Sequence, residues 1–557
     1  MPAETCSLVQ VVFECFQLNS SAPKFFGFSE FIAGLALMVL AWTIADTRYR
    51  FRIATATLPV RGLTLLVTFS VGALTLLTDL WRAKQGWVPA GPLLTPESWQ
   101  FCLGAMLLFT LFTWLWFAFI RPSTFNRWNA KHFVSAVDSC ILRGASTELG
   151  VVADELARSA DRIVRYATEL PGKGETLGRS HLGKTEVLAN RLLTAIGSPK
   201  FCRATVEHAP GFIYDLFGAI SKQSKHRVCI EIFAKNIVTA AIDNRSSFLY
   251  NETDYYESGL EGLTKPITSA LCEDPRLIEH ISTLLSPSYS RQEPWDIDQW
   301  RAYFRLVMKA FSSHVGSNAS SRPMSLHWAM RNVRSIFDDL NEDLQVSRLK
   351  IHDDLYIRLK AIGELIKEMV ATLDAHESNG LSLPPHSIED VTKLICSLIK
   401  AASSVRRPRT VARRIQHELI WKGILNSHQL RTAIGQQIQQ QVHEWLERKV
   451  HECPNLDSAM LLGYCLNVLG FRLVEKGQVY GASWRELHVR LLDWTKVNIA
   501  TLLTRYPTMA HYCFVEDMHF ESEKCRLVLT YPPDELGNTS FTYFAVNPCQ
   551  ESAPTPC

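Results

Sequence analysis

The stretch Ser98–Ile120, SWQFCLGAMLLFTLFTWLWFAFI, contains no charged side chain. A helix needs about 20 mostly apolar residues to cross the roughly 30 Å hydrocarbon layer of a bilayer, and this run has them. Two further apolar runs precede it. Phe31–Ala45 (FIAGLALMVLAWTIA) is extended backward by Phe25 and Phe28, and Gly62–Thr78 (GLTLLVTFSVGALTLLT) is shorter, with Asp79 and Trp81 just beyond it. None of the three holds a Lys or Arg. Their concentration before residue 121 predicts three transmembrane helices, at about 28–45, 62–80 and 98–120, in a membrane domain 28–131. A buried hairpin in a soluble core is the poorer explanation.

Lys and Arg counts beside the runs orient the chain. The tail 1–27 carries only Lys24, whereas the loop after the first run carries Arg48, Arg50, Arg52 and Arg61. The next loop has Arg82 and Lys84, and Arg121, Arg127 and Lys131 follow the third run. With three passes, both basic segments lie on one side. The expectation is therefore an outer N-terminal tail, 1–27, and a cytoplasmic bulk, in a plasma or inner membrane. The tail lacks the basic start and small-residue cleavage site of a signal peptide, so the first run reads as an uncleaved anchor. Of fourteen cysteines only Cys6 and Cys15 fall on the outer side, and the absence of any C-x-x-C fits reduced thiols.

Across all 557 residues, 47% apolar and 20% charged residues exclude a mainly disordered chain. The balance of 58 Lys+Arg against 55 Asp+Glu gives only +3, which offers no global field for nucleic acid. From His132 to about Tyr506, apolar residues recur every three or four positions, as in Phe212, Ile213, Leu216, Phe217 and Ile220, the signature of amphipathic helices. Residues 132–506 thus read as a large, irregular α-helical cytoplasmic domain. The longest expected helix, around 409–450, carries a glutamine run (Gln436, Gln437, Gln439, Gln440, Gln441) and is expected to project or to pack on a partner helix. In the C-terminal segment 507–557, β-branched and aromatic stretches around PPDELGN predict a small antiparallel sheet within 511–547. The fold class is mainly α.

Three stretches are candidate sites. Gly178-Arg-Ser-His-Leu-Gly183-Lys184-Thr185 matches the P-loop spacing, in which backbone N–H groups cradle phosphate, Lys184 reaches the outer phosphates and Thr185 holds Mg²⁺. It follows a Gly-rich polar loop instead of a buried strand, so a loop with fortuitous residues is the stronger reading. Asn251, Glu252, Asp254, Tyr255 and Glu257 form an acidic, aromatic interruption that suits a cation, a basic partner or a neighbouring copy. Arg406, Arg407, Arg409, Arg413 and Arg414 form a basic cluster for which anionic lipid is the simplest partner, with nucleic acid as the rival. His511, Cys513, His519 and Cys525 carry ligand-type side chains, three of them on one face of an expected strand, but lack the paired spacing of structural zinc. No catalytic residue, metal or cofactor is assigned.

The expected function is non-enzymatic. The helical domain binds an unknown cytoplasmic protein or senses a signal, as a membrane-anchored scaffold, receptor subunit or effector. A channel or permeabilising assembly is the alternative; it requires a homo-oligomer, with Thr64, Thr68, Ser70 and Thr75 as its polar candidates. A membrane-tethered nucleotide-dependent enzyme is the second alternative and rests on the P-loop match alone. The lipid bilayer is the first partner, and nucleic acid is disfavoured.

Overall fold

A computed structural model describes residues 17–18, 24–44, 46–88, 95–120, 122–170, 183–252, 266–288, 295–317, 321–343, 349–384, 386–473, 482–531 and 539–547. The protein is mainly helical, with a small antiparallel sheet near the C-terminus. It divides into two compact units, Met1–Phe248 and Leu249–Cys557.

In the first unit, α1 (Phe28–Ile44), α3 (Val60–Gln85) and α4 (Pro96–Leu115) form an apolar bundle, and α4 continues as a π-helical turn, Trp116–Ile120. Phe31, Met38, Val71, Leu103 and Leu107 fill its centre. The start of α1 is tied to the far end of α3 and the start of α4. The Asp79 carboxylate accepts from Phe28 N (2.8 Å) and pairs with Lys24 (2.9 Å), and Gln100 Oε1 accepts from Phe25 N (2.7 Å). The chain therefore runs back and forth through one layer.

Among the described residues two helices, not three, are long and apolar enough to cross a membrane: Val60–Lys84 and Pro96–Ile120, 25 residues each. Helix α3 is longer than its apolar run because it continues through Asp79 and Arg82 to a left-handed cap at Gly86 (φ 67°), the conformation glycine adopts without strain. The first expected span is cut short. α1 has 17 residues, and its apolar stretch is Phe28–Leu40. Asp46 then accepts from Thr47 N (2.6 Å) and starts a separate short helix, α2 (Thr47–Ala54).

Beyond the bundle, α5 (Ala130–Arg143), α6 (Ser146–Ala157), α7 (Ala160–Tyr166), α8 (Lys184–Ala195), α9 (Pro199–His208), α10 (Gly211–Lys222) and α11 (Glu231–Asp243) complete the unit. Their amphipathic faces meet around Phe201, Phe212, Phe217 and Phe233, whose rings contact pairwise at 5.9–6.1 Å.

The second unit is a helical body. Helix Ile297–Gly316 packs on Leu349–Ser378, and Ser387–Ser404 packs on Met324–Asp343, Ala433–His451 and Leu456–Leu469. The expected long helix at 409–450 is broken into Arg409–Arg413, a π-helix Arg414–Leu425, a 3-10 turn Gln429–Arg431 and helix Ala433–His451. Of its glutamines, Gln436, Gln437, Gln440 and Gln441 are exposed, and the helix that carries them packs within the body. Gln439 is buried and donates to Leu425 O (2.9 Å), and Gln441 accepts from Thr392 Oγ1 (2.9 Å). Near the C-terminus, Met518–Glu521, Arg526–Thr530 and Phe541–Ala545 form the antiparallel sheet, with Arg526–Thr530 in the middle. Its start is displaced from the expected one. Pro507 opens a helix through Tyr512, so His511 and Cys513 share no strand with His519.

Burial in this body has a consequence for pH. The His443 imidazole is packed edge-on against Trp484 (4.0 Å between centroids), and desolvation pulls its pKa from 6.5 down to about 4. Between those values the unfolded chain takes up a proton that the folded chain refuses, so stability is complete above pH 6.5 and falls as the pH drops toward 4. The expected loss is roughly 3 kcal/mol. Urea unfolding at pH 7 and pH 4.5 should show this loss in the wild type, and His443→Phe should reduce it; an unchanged slope would refute the assignment.

Candidate functional site at the base of the apolar bundle

The helix α2, TRYRFRIA, carries three arginines at every second position. At about 100° per residue, Arg48 and Arg52 share one face and Arg50 takes the opposite one. Arg48 and Arg52 turn toward α6. Arg52 makes a two-pronged contact with Glu155 (Nη2–Oε1 2.7 Å, Nε–Oε2 2.9 Å), and its remaining Nη1 donates to Ala118 O (2.9 Å) at the end of the apolar helix α4. Arg48 pairs with Asp154 (2.6 Å). Arg52 and Glu155 are both buried, 7% and 5% exposed, and the carboxylate raises the guanidinium pKa above its ordinary value. One buried side chain thus joins α2, the end of a candidate membrane helix and the first layer of the helical region. Asn129, fully buried, adds a second tie by donating to Thr55 O (2.8 Å).

On the other side of α2 lies an open cavity of about 600 Å³. Arg50 enters from α2, Arg61 from the first turn of α3, and His132, Ser135, Ser139 and Arg143 from one face of α5. The α5 residues recur at three, four and four positions, while Phe133, Val134 and Val137 face the core. Among the described residues, no carboxylate pairs with Arg50, Arg61 or Arg143. Glu148, the acidic residue on the rim, accepts from Ala145 N (3.1 Å). Helix α3 begins at Pro59 without a side-chain cap.

This arrangement was missed in the sequence, where Arg48–Arg61 read only as a basic loop. The available signal was the i,i+4 pair Arg48/Arg52 with Asp154 and Glu155 further on.

The residues singled out earlier are dispersed. Gly178 lies outside the described residues. Gly183 donates to Glu186 Oε2 (2.9 Å) at the start of α8, so a carboxylate sits at the helix N-terminus beside Lys184 and Thr185, where a phosphate would otherwise be drawn. Asp254, Tyr255 and Glu257 are outside the described residues. Asn251 is exposed, while Glu252 accepts from Ile267 N (2.9 Å), Thr268 N (3.1 Å) and the Thr268 hydroxyl, capping helix Pro266–Cys272.

The basic cluster is largely engaged within the second unit. Arg406 lies over Tyr512 (4.2 Å) and donates to His511 O (2.9 Å), and Arg414 lies over Tyr356 (3.9 Å). Arg409 pairs with Asp517 and donates to Thr530 O (3.2 Å), fastening the sheet to the helices. Arg407 and Arg413 are exposed. Arg413 and Lys422 face a smaller cavity, of about 320 Å³, beside the π-helix. There His417 Nε2 lies 2.9 Å from Asn467 O, and burial lowers its pKa. Among the described residues, no group of three or more His, Cys, Asp or Glu is placed to hold a metal ion.

No protein-family model matches this chain, and no curated protein matches it in sequence.

Proposed function

We propose that the protein is a membrane-anchored binding protein: three N-terminal helices hold it in a plasma or inner membrane with the N-terminus outside, and the helical remainder binds a protein partner in the cytoplasm. The observation that carries the anchor is the surface of α3 and α4. Phe69, Phe101 and Phe109 are 77%, 75% and 71% exposed, beside Leu65, Leu66 and Phe112. Apolar surface this extensive favours hydrocarbon as its surroundings. The back-and-forth course of α1, α3 and α4 supports a third pass by α1, since its start is level with the start of α4. The Lys and Arg distribution supports the orientation.

Partner binding is supported by an exposed aromatic site on the second unit. On helix Met324–Asp343, Trp328 lies under the Arg331 guanidinium (5.2 Å), and Met324 next to it is 47% exposed. Trp and Arg dominate the energetics of protein interfaces. The spans offer less to a channel. Of the polar candidates, Thr75 donates to Val71 O of its own helix (2.7 Å) and Thr68 faces Met38 Sδ of α1 (3.9 Å) inside the bundle.

The test uses the full chain in sealed vesicles whose cytoplasmic face is outward. Resistance to alkaline extraction, with external protease removing residues beyond 131, supports the anchor and its orientation. Release into the soluble fraction overturns it. Escape of an encapsulated ion would transfer the function to the channel alternative. Crosslinking in native membranes should yield a specific protein adduct that Trp328→Ala reduces at least ten-fold; an undiminished adduct would remove this face from the interface.

A further inference from the structure

We infer that the cavity bounded by α2, the first turn of α3 and α5 binds the phosphate of an anionic lipid headgroup. The inference rests on the reading that α3 and α4 lie in a bilayer. The cavity opens where α3 begins and α4 ends. Ile53, Ala56 and Val60 on its α2–α3 side pack against Trp114 and Ala118 at the end of α4. It is therefore placed at headgroup depth whenever the apolar helices are embedded.

Its chemistry is that of a phosphate site. Arg50, Arg61 and Arg143 come from three separate elements and converge on one space of about 600 Å³, which accommodates a phosphodiester with its glycerol. Guanidinium groups match phosphate oxygens two at a time, and none of these three is spent on a carboxylate among the described residues. Arg48 and Arg52, on the same short helix, are spent in that way, so the helix separates structural arginines from available ones. Ser135 and Ser139 add hydroxyl donors from α5, and the uncapped start of α3 directs its dipole toward the same space. The rim is apolar at Leu58, which is 49% exposed, and outside the cavity Trp128, just before α5, is 86% exposed. Exposed tryptophan at this depth is a common interfacial anchor. Basic pockets at the cytoplasmic ends of membrane helices suit lipid phosphate, and each cation contributes about a five-fold preference near the surface.

The experiment compares the full chain in neutral phosphatidylcholine nanodiscs with discs containing phosphatidic acid or phosphatidylglycerol, reading co-purified lipid and thermal midpoint. The wild type is expected to enrich anionic lipid and to melt higher in its presence. Arg50→Gln/Arg61→Gln/Arg143→Gln should lower the enrichment about 100-fold and abolish the shift, with an unchanged midpoint in neutral discs showing that it folds. Ser139→Trp, which fills the cavity without removing charge, should also lose the enrichment. Arg407→Gln, in the other unit, should not.

Retention of the enrichment by both cavity variants overturns the inference. If inorganic phosphate raises the wild-type midpoint in neutral discs as much as anionic lipid does, the site takes free phosphate and the lipid assignment fails. A wild type that never enters discs and is washed from membranes by alkali refutes the membrane reading itself, a failure distinct from insertion without lipid selectivity.

Discussion

Arg52→Ala is expected to destabilise the first unit by about 3–5 kcal/mol, the usual cost of removing one partner from a buried ion pair. The size follows from what remains. Glu155 is 5% exposed and would keep a negative charge cut off from water and from its two-pronged partner, while Ala118 O at the end of α4 would lose its donor (2.9 Å). Arg48 Nε lies 3.5 Å from Glu155 Oε1 and offers partial compensation, so Arg48→Ala/Arg52→Ala should cost more than the two single changes added together. The paired replacement Arg52→Met/Glu155→Met removes both charges and should recover most of the loss, because an apolar pair of similar volume avoids desolvation altogether. Denaturant unfolding in detergent, followed as a double-mutant cycle, measures all four terms. A single-mutant cost below 1 kcal/mol would mean that water reaches Glu155 and that α2 is not fastened as described.

How much of this was legible beforehand depends on the range of the interactions concerned. Helical periodicity is local, so the amphipathic segments from α5 onward and the small C-terminal sheet could be read directly. Helix ends are set by contacts at long range. Asp79 looked like the end of the second apolar run, yet the helix continues to Gln85 and Asp79 serves the start of α1, 51 residues earlier. The short α2 was hidden because its arginines resemble a topogenic loop, and only the pairing of Arg52 with Glu155, 103 residues away, makes it a fixed element. The same limit governed the candidate sites. A run of five arginines at 406–414 suggested a binding patch, but three are taken up by Tyr512, Tyr356 and Asp517, none near in sequence. The cavity whose arginines pair with no carboxylate among the described residues draws one each from α2, α3 and α5, and no local motif announces such a convergence.

The largest remaining expectation concerns the environment of α3, and two substitutions two residues apart decide it. Val71 is fully buried at the centre of the bundle beside Phe31, Leu103 and Leu107, whereas Phe69 is 77% exposed near the middle of the same helix. Val71→Arg drives a charge into a packed core and is expected to be severely destabilising in any solvent. Crowding adds to this: at the neighbouring Gly72 an added Cβ would already meet the Phe31 ring at 2.7 Å. Phe69→Arg separates the cases. In hydrocarbon, an arginine at mid-span costs about 2.5–3.5 kcal/mol of insertion free energy. In water, the same change replaces an exposed aromatic by a soluble side chain and leaves stability within about 0.5 kcal/mol. Glycosylation-reporter insertion assays on the full chain, with and without each change, read the difference. Failure of insertion for Phe69→Arg places this face of α3 in lipid. Full stability with improved solubility would place it in water, and failure of the wild type to insert in the same assay would return the bundle to a peripheral, soluble role.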